Sequence, residues 1–300
     1  MEAQLEKYFE RSALLFNSGY AANSGIIPAL TDKKSIIYSD AYNHASIIDG
    51  CRLSAAKVEV FRHNNIAELS MKMAKGGPEE KWIVTESVFS MEGDLAPLTE
   101  LRILADKYNA KLCVDEAHAV GWAGNGRGLS AKLGIRPDVV VGTFGKSFGS
   151  YGAFCLGEPE LIQLLLNQAR TFVFTTGMPA PILAASIAAL AYVRQNNHLQ
   201  ESLANNCALM AKGLRDLGLP ANEDSPIFPV TIGEESKALE AASELRNAGF
   251  FCQAIRPPTV PEGTSRLRAT IRADHRPEQI SNFCGALGRT MFHVEHRPLQ

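Results

Sequence analysis

Through the first half of the chain, short runs rich in β-branched and aromatic residues alternate with longer stretches whose apolar residues recur every three or four positions. The short runs, at 14–16, 35–38, 58–61, 82–86, 112–115, 139–142 and 153–156, read as strands. The periodic stretches at 2–10, 66–73, 97–108 and 159–168 read as helices, as does one that leaves the turn Asn17-Ser18-Gly19 and runs to about residue 30. This alternation predicts an α/β domain with a largely parallel sheet covered on both faces. Ligands of such sheets bind at strand ends. A long helical region, 179 to about 217, stops at Gly218-Leu219-Pro220. Strands at 227–232 and 266–271, with helices at 238–247 and 277–287, then predict a smaller α+β domain. The expected division is 1–214 and 215–300, with 293–300 as a loose tail.

Composition narrows the class. A chain of 300 residues with 46% hydrophobic and 21% charged residues has the make-up of a soluble globular protein. Its formal net charge of −2 gives no bulk attraction to nucleic acid or to a membrane surface. The longest apolar stretch, from Ile182 to Val193, is shorter than the ~20 residues of a membrane span. Residues 1–7 carry no apolar signal-peptide core. The cysteines, Cys51, Cys113, Cys155, Cys207, Cys252 and Cys284, form no C-x-x-C pair and predict buried free thiols in the cytoplasm. The histidines show no metal-ligand spacing, so no metal site is expected.

Candidate chemistry centres on the run Val139-Val140-Val141-Gly142-Thr143-Phe144-Gly145-Lys146-Ser147-Phe148-Gly149. A strand breaks here into a glycine-rich turn with one lysine. Lys146 is expected to be partly desolvated, which lowers a lysine's pKa and favours attack on carbonyls. Such lysines form Schiff bases with carbonyl substrates or pyridoxal phosphate. Gly145-Lys146-Ser147 fails as a P-loop, because the position that must be glycine is Val140. An ordinary surface lysine is the competing reading.

A second strand ends in Asp115-Glu116-Ala117-His118. An acid at the end of a buried strand is costly unless it meets a cation. A protonated pyridine nitrogen is such a cation, and a pyridoxal phosphate site needs this acid together with a lysine. The same letters spell the DEAH box of helicase-type ATPases. That alternative lacks the P-loop, has its Gly-Lys-Ser after the acidic box, and has no basic surface. His44, after Tyr42-Asn43, stands in a loop where an imidazole could stack on a pyridine ring, or simply face solvent. Ser90 follows a strand, where it either reaches a ligand or caps the turn. The turn before Tyr20 could offer N–H groups to an anion. Arg266 and Arg268 share a face at strand alternation, and one of them could grip a carboxylate.

The segments LLFNSGYAAN, AYNHASIIDG, VTESVFSMEGDLAPL, LCVDEAH, VVGTFGKSFGSYGAF, FTTGMP and AIRPPTVPEGTSRLR run through nearly the whole chain. On them the chain resembles the α-oxoamine synthases, pyridoxal phosphate enzymes of fold type I. The resemblance implies a large cofactor-binding domain over 1–214, a C-terminal small domain, and a cytoplasmic homodimer. It also implies that an amino acid condenses with an acyl thioester carried on coenzyme A or an acyl carrier protein. AIRPPTVPEGTSRLR and FSMEGDLAPL are most like members that use L-alanine and a pimeloyl thioester; members that use glycine are the alternative.

By the same resemblance, Lys146 would hold the cofactor and move protons at the substrate α-carbon. Asp115 would pair with the pyridine nitrogen, His118 with the ring hydroxyl, and His44 would stack on the ring. Ser90, Gly19 and Tyr20 would contact the cofactor, and Thr143 its phosphate. Thr176 would reach the phosphate of the neighbouring subunit. Thr259 would lie near the substrate and Arg268 would hold its carboxylate. Family members carry a further leading segment, with an Asn-Asp-Tyr-Leu-Gly-type stretch and a Gly-rich loop, that this sequence lacks. The expectation is a shortened member, with a folded but inactive chain as the other reading.

Overall fold

The computed structural model describes residues 1–77 and 79–296, and it divides into two units. The first comprises Met1–Phe89 and Ala96–Asn197. It opens with α1 (Glu2–Phe9), β1 (Ser12–Phe16), α2 (Gly19–Leu30), β2 (Ser35–Asp40) and α3 (Ala45–Leu53). Then come β3 (Lys57–Phe61), α4 (Ile66–Lys75), β4 (Glu80–Glu86), α5 (Leu98–Lys107), β5 (Lys111–Asp115) and α6 (Leu129–Lys132). It closes with β6 (Val139–Thr143), β7 (Ala153–Gly157), α7 (Pro159–Gln168), α8 (Arg170–Val173) and α9 (Ala180–Gln195).

Its strands form one seven-stranded sheet in the order β1-β7-β6-β5-β4-β2-β3. From β3 to β6 all neighbours are parallel, and β7 runs antiparallel to both β6 and β1. The expected mostly parallel α/β sheet is therefore present. β6 shows why its sequence lacks polar alternation. Val139 and Val141 pack on one face with Leu14, Ile37 and Cys113, while Val140 packs on the other with Ala13, Phe144 and Phe154. A strand covered on both sides has no polar face to show. Ile26 of α2, Ile47 of α3 and Leu165 of α7 cover the first face. Leu5 of α1 and Leu190 of α9 cover the second. Each such side chain contributes about 1.5–3 kcal/mol by leaving water.

The second unit holds Ser90–Leu95 and the residues from His198 onward. It contains α10 (His198–Asp216), β8 (Ile227–Gly233), α11 (Glu235–Asn247), β9 (Gln253–Ile255), β10 (Ser265–Thr270) and α12 (Pro277–His296). Its strands make an antiparallel sheet in the order β8-β10-β9.

Three expectations change. The long helical region is two helices, α9 and α10, parted at Asn196-Asn197. The units divide at 197/198 rather than at 214/215. The reason is that α10 packs on α12, and Asn206 Nδ2 donates to the carbonyls of Arg272 (3.0 Å) and His275 (2.8 Å). Ser90–Leu95 joins the second unit because Arg266 and Arg268 of β10 bond to it and Ser225 Oγ donates to Gly93 O. Finally, His293–His296 continue α12 instead of forming a tail. The rest of the expected tail, 297–300, lies outside the described residues.

Candidate functional site

Lys146 rides on the loop between antiparallel β6 and β7, and the loop is closed at both ends. Phe144 N donates to Gly152 O (2.9 Å), Ser150 N to Phe144 O (2.8 Å) and Gly149 N to Lys146 O (2.9 Å). Thr143 Oγ1 donates to Gly152 O (2.9 Å) and accepts from Gly145 N (3.1 Å). The loop needs Gly152 on two grounds: φ is +97°, and a Cβ there would stand 2.3 Å from Met178 Sδ. Phe144 and Phe148 are buried anchors, while Lys146 between them is exposed. The expected desolvation of the lysine by burial is therefore not present. Its partner is polar instead: Nζ lies 2.7 Å from His118 Nε2.

Asp115 ends β5 and is 8% exposed. Its Oδ2 accepts from Asn23 Nδ2 (2.6 Å) and its Oδ1 from Ala117 N (2.8 Å). Both donors are neutral, and among the described residues no cation pairs with this carboxylate. Burying an ion costs several kcal/mol, which two neutral hydrogen bonds offset only in part. The chemistry of this donor set fits a protonated ring nitrogen.

Glu116 turns the other way. Fully buried, it accepts from Leu129 N (2.9 Å), Ser130 N (2.7 Å) and Ser130 Oγ. Burial pushes its carboxyl up, and the bonds from Ser130 and Leu129 oppose this. A carboxylate sealed in that way has no access to a nucleotide-bound metal, so the DEAH reading falls. The chain between Asp115 and Ser130 is thereby tied down around His118, whose carbonyl accepts from Trp122 Nε1 (2.6 Å).

His44 precedes α3 and is exposed, with its ring hydrogen-bonded back to the helix. Its Nδ1 accepts from Ser46 N (3.2 Å) and lies 2.8 Å from Ser46 Oγ; its backbone N donates to Glu86 Oε1 (2.7 Å). Desolvation by the neighbouring protein atoms pushes the imidazole pKa down, Asp115 opposes this and Lys146 adds to it. His44 thus sits in the field of both residues. Asn43 laces the strand ends beneath it, donating to Val84 O (2.8 Å) and accepting from Glu86 N (3.1 Å). Gly19 and Tyr20 open α2, capped by Ser18 Oγ, which accepts from Ala21 N (3.1 Å). Space around Gly19 is open, and Tyr20 Oη donates to Asp49. Thr176 is exposed, with its carbonyl accepting from Asn17 Nδ2 (2.8 Å).

The second unit brings Ser90 and Arg268 together: Arg268 Nε donates to Ser90 O (2.6 Å) and Nη1 to Thr270 Oγ1 (3.2 Å). The two β10 arginines do share a face, but they differ in use. Arg266 is bound to the Glu92 carboxylate (3.1 Å) and to Met91 O (3.2 Å). Among the described residues no carboxylate bonds Arg268, which leaves Arg268 as the carboxylate candidate. Burial pushes its pKa down, yet a guanidinium stays charged. Arg268 also lines a cavity of about 750 Å³ with Met91, Gln253, Ile255 and Phe283. Thr259 is exposed, in a turn where its N donates to Arg256 O (3.0 Å).

Asn23, Ser46, Asn43 and Glu86 escape the sequence reading. Each is a buried polar residue, and the burial of a single polar side chain leaves no mark in the local sequence.

The aminotransferase class I and II family matches residues 1–287. An 8-amino-7-oxononanoate synthase of Anaeromyxobacter dehalogenans is 47% identical over 296 residues, or 97% of this chain and 74% of that protein. Serine palmitoyltransferase of S. paucimobilis superposes with a TM-score of 0.95 at 33% identity, covering 98% of this chain and 76% of that one. An 8-amino-7-oxononanoate synthase from Francisella tularensis superposes with a TM-score of 0.83 at 28% identity, covering 96% and 85%.

Proposed function

The chain belongs to the class I and II aminotransferase family and within it to the α-oxoamine synthases, and on that premise we propose that it condenses L-alanine with a pimeloyl thioester to give 8-amino-7-oxononanoate. The observation that carries this reading is Lys146 Nζ at 2.7 Å from His118 Nε2, together with a buried Asp115, three residues before His118, that among the described residues is bonded by the neutral donors Asn23 Nδ2 and Ala117 N. The reaction forms a bond from the alanine α-carbon to the acyl carbonyl, releases the thiol, and loses the alanine carboxylate as carbon dioxide.

Pyridoxal phosphate, when bound, supplies the electron sink for a carbanion at that α-carbon. The residues supply the rest. Lys146 carries the cofactor and then moves the proton at the α-carbon. His118, 2.7 Å from Lys146 Nζ, would bond the cofactor's ring hydroxyl. Asp115 would keep the ring nitrogen protonated, and His44 would stack on the ring. Gly19, Tyr20, Ser90 and Thr143 are assigned to holding the cofactor, the last at its phosphate. Thr259 is assigned to the substrate, and the Arg268 fork to its carboxylate.

The active species is read as a homodimer, with Thr176 reaching the neighbouring copy's phosphate. Supporting this, α9 exposes Ala184, Ala185, Ile187, Ala188 and Tyr192 along one apolar helix. The acyl carrier is coenzyme A or an acyl carrier protein. The compartment is read as cytoplasm from six free, buried cysteines. No helix of the described residues is long and apolar enough to cross a membrane.

The test is thiol release with alanine and glycine, each against pimeloyl and short acyl donors. Release must be greatest with the alanine and pimeloyl pair. Preference for glycine or for a short acyl group would move the chain to another α-oxoamine synthase activity.

A further inference from the structure

We propose that Asn23 and Ser46 are positioning residues that form a one-way hydrogen-bond chain from Asp115 to His44 and hold His44 as the neutral imidazole with its proton on Nε2.

The direction of the chain follows from its first link. Asn23 Nδ2 lies 2.6 Å from Asp115 Oδ2 and 3.0 Å from Ser46 Oγ, and both contacts are buried. A carboxylate only accepts, so it fixes which end of the amide faces it: the NH₂ group, with two hydrogens to give. One goes to Asp115 and the other to Ser46 Oγ. The serine oxygen accepts that hydrogen, and because the Ser46 backbone N–H can only donate and is aimed at His44 Nδ1, that ring nitrogen is an acceptor and the serine hydroxyl, 2.8 Å away, donates to it as well. Ser46 N adds a second donor to the same nitrogen at 3.2 Å. A nitrogen that receives two donors carries no proton, so the proton of the neutral ring is on Nε2.

The charged groups around the imidazole agree with a neutral ring. Desolvation by the neighbouring protein atoms disfavours its cation most, Lys146 adds to this, and Asp115 works against both. Glu86 meets the His44 backbone N rather than the ring. Ser46 is on α3 and Asn23 on α2, so the chain also joins two helices that pack against each other.

The proposal rests on the cofactor reading only for what His44 faces. The decisive experiment needs no cofactor: ¹⁵N-histidine-labelled chain, with two-bond ¹H–¹⁵N correlations recorded across pH and His44→Gln used to assign the signal. In the wild type, Nδ1 should appear as unprotonated and Nε2 as protonated at neutral pH. Ser46→Ala should lower the ratio of the two tautomers by about two- to tenfold, the size of one neutral hydrogen bond. Asn23→Ala should do the same by releasing the Ser46 hydroxyl, and Ser46→Thr should restore the ratio. Circular dichroism identifies variants that stay folded. A merely structural role would lower the melting temperature and leave the tautomer alone. Protonated Nδ1 in the wild type, or an unchanged ratio in folded Ser46→Ala, overturns the proposal. Neither result bears on thiol release, so failure here is distinct from failure of the proposed reaction.

Discussion

Lys146 Nζ and His118 Nε2 share a 2.7 Å hydrogen bond although they come from the ends of different strands, β6 and β5. β5 and β6 are direct parallel neighbours, so the chain leaves both strands at the same end of the sheet. That shared end places the Lys146 amine beside the His118 imidazole.

Lys146→Ala should abolish the covalent adduct that borohydride fixes in the wild type, and peptide mapping should place that adduct on Lys146. General acid–base catalysis is worth about 10²–10⁴-fold, so turnover should fall by at least that much. An adduct on another lysine would refute the assignment.

Asp115→Asn replaces the charge and keeps the shape. An opposite charge at contact shifts a pKa by ~1–3 units, each worth about 1.4 kcal/mol. Turnover should therefore drop about tenfold to a thousandfold while cofactor absorbance is kept. Normal turnover by this variant would remove Asp115 from the ring nitrogen.

The β10 arginines should separate cleanly. Arg268→Lys loses the planar fork and should raise the KM for alanine, with the acyl-donor KM nearly unchanged. Arg266→Met breaks the mostly buried pair with Glu92 and should cost about 3–5 kcal/mol of stability. Steady-state kinetics and denaturant melts on both variants check this. Equal effects of Arg268→Lys on both substrates would point to misfolding.

Glu116 gives a pH signature. Burial raises its folded pKa above the 4.5 of an exposed carboxyl. The folded state therefore binds the proton more tightly, and the stability this contributes is complete below pH 4.5. It is lost as pH rises through the folded value. Glu116→Gln does not titrate. Wild-type minus variant stability should fall as pH rises from 4.5, by at most about 1.4 kcal/mol per pH unit. Denaturant melts at a series of pH values measure it, and a flat difference would contradict the raised pKa.

Ile187→Lys tests the dimer. An exposed substitution on a monomer changes stability by roughly ±0.5 kcal/mol. If α9 meets a second copy, the charge instead lowers the dimer fraction in sedimentation velocity. An unchanged dimer would place the interface elsewhere.

The buried strands were legible because continuous apolar runs leave little choice of structure. β3 was legible for a different reason: its Val58 and Val60 are exposed, but the β-branched residues remain. β9 was missed because three residues carry no periodicity. The break between α9 and α10 was missed because Asn196-Asn197 replaces the glycine or proline that usually marks one. At the site, motifs exposed the residues that end strands, such as Asp115 and Lys146. Asn23 and Ser46 lie inside helices, where nothing along the chain signals which polar residue faces inward. Lys146's exposure was misjudged because a strand end fixes the backbone, whereas a long side chain chooses its own surroundings.

Surface loops are ordinarily where sequences drift in length. The lysine loop between β6 and β7 has no such freedom. Its closing hydrogen bonds span 143–152, and two buried phenylalanines pin it from within. One added residue would rotate Lys146 away from His118 or pull a ring out of the core. For anyone grafting tags, shuffling relatives or tolerating indels, this chain has a fixed ruler of backbone at its centre. Its length sets where Lys146 stands as firmly as the two rings that pin it.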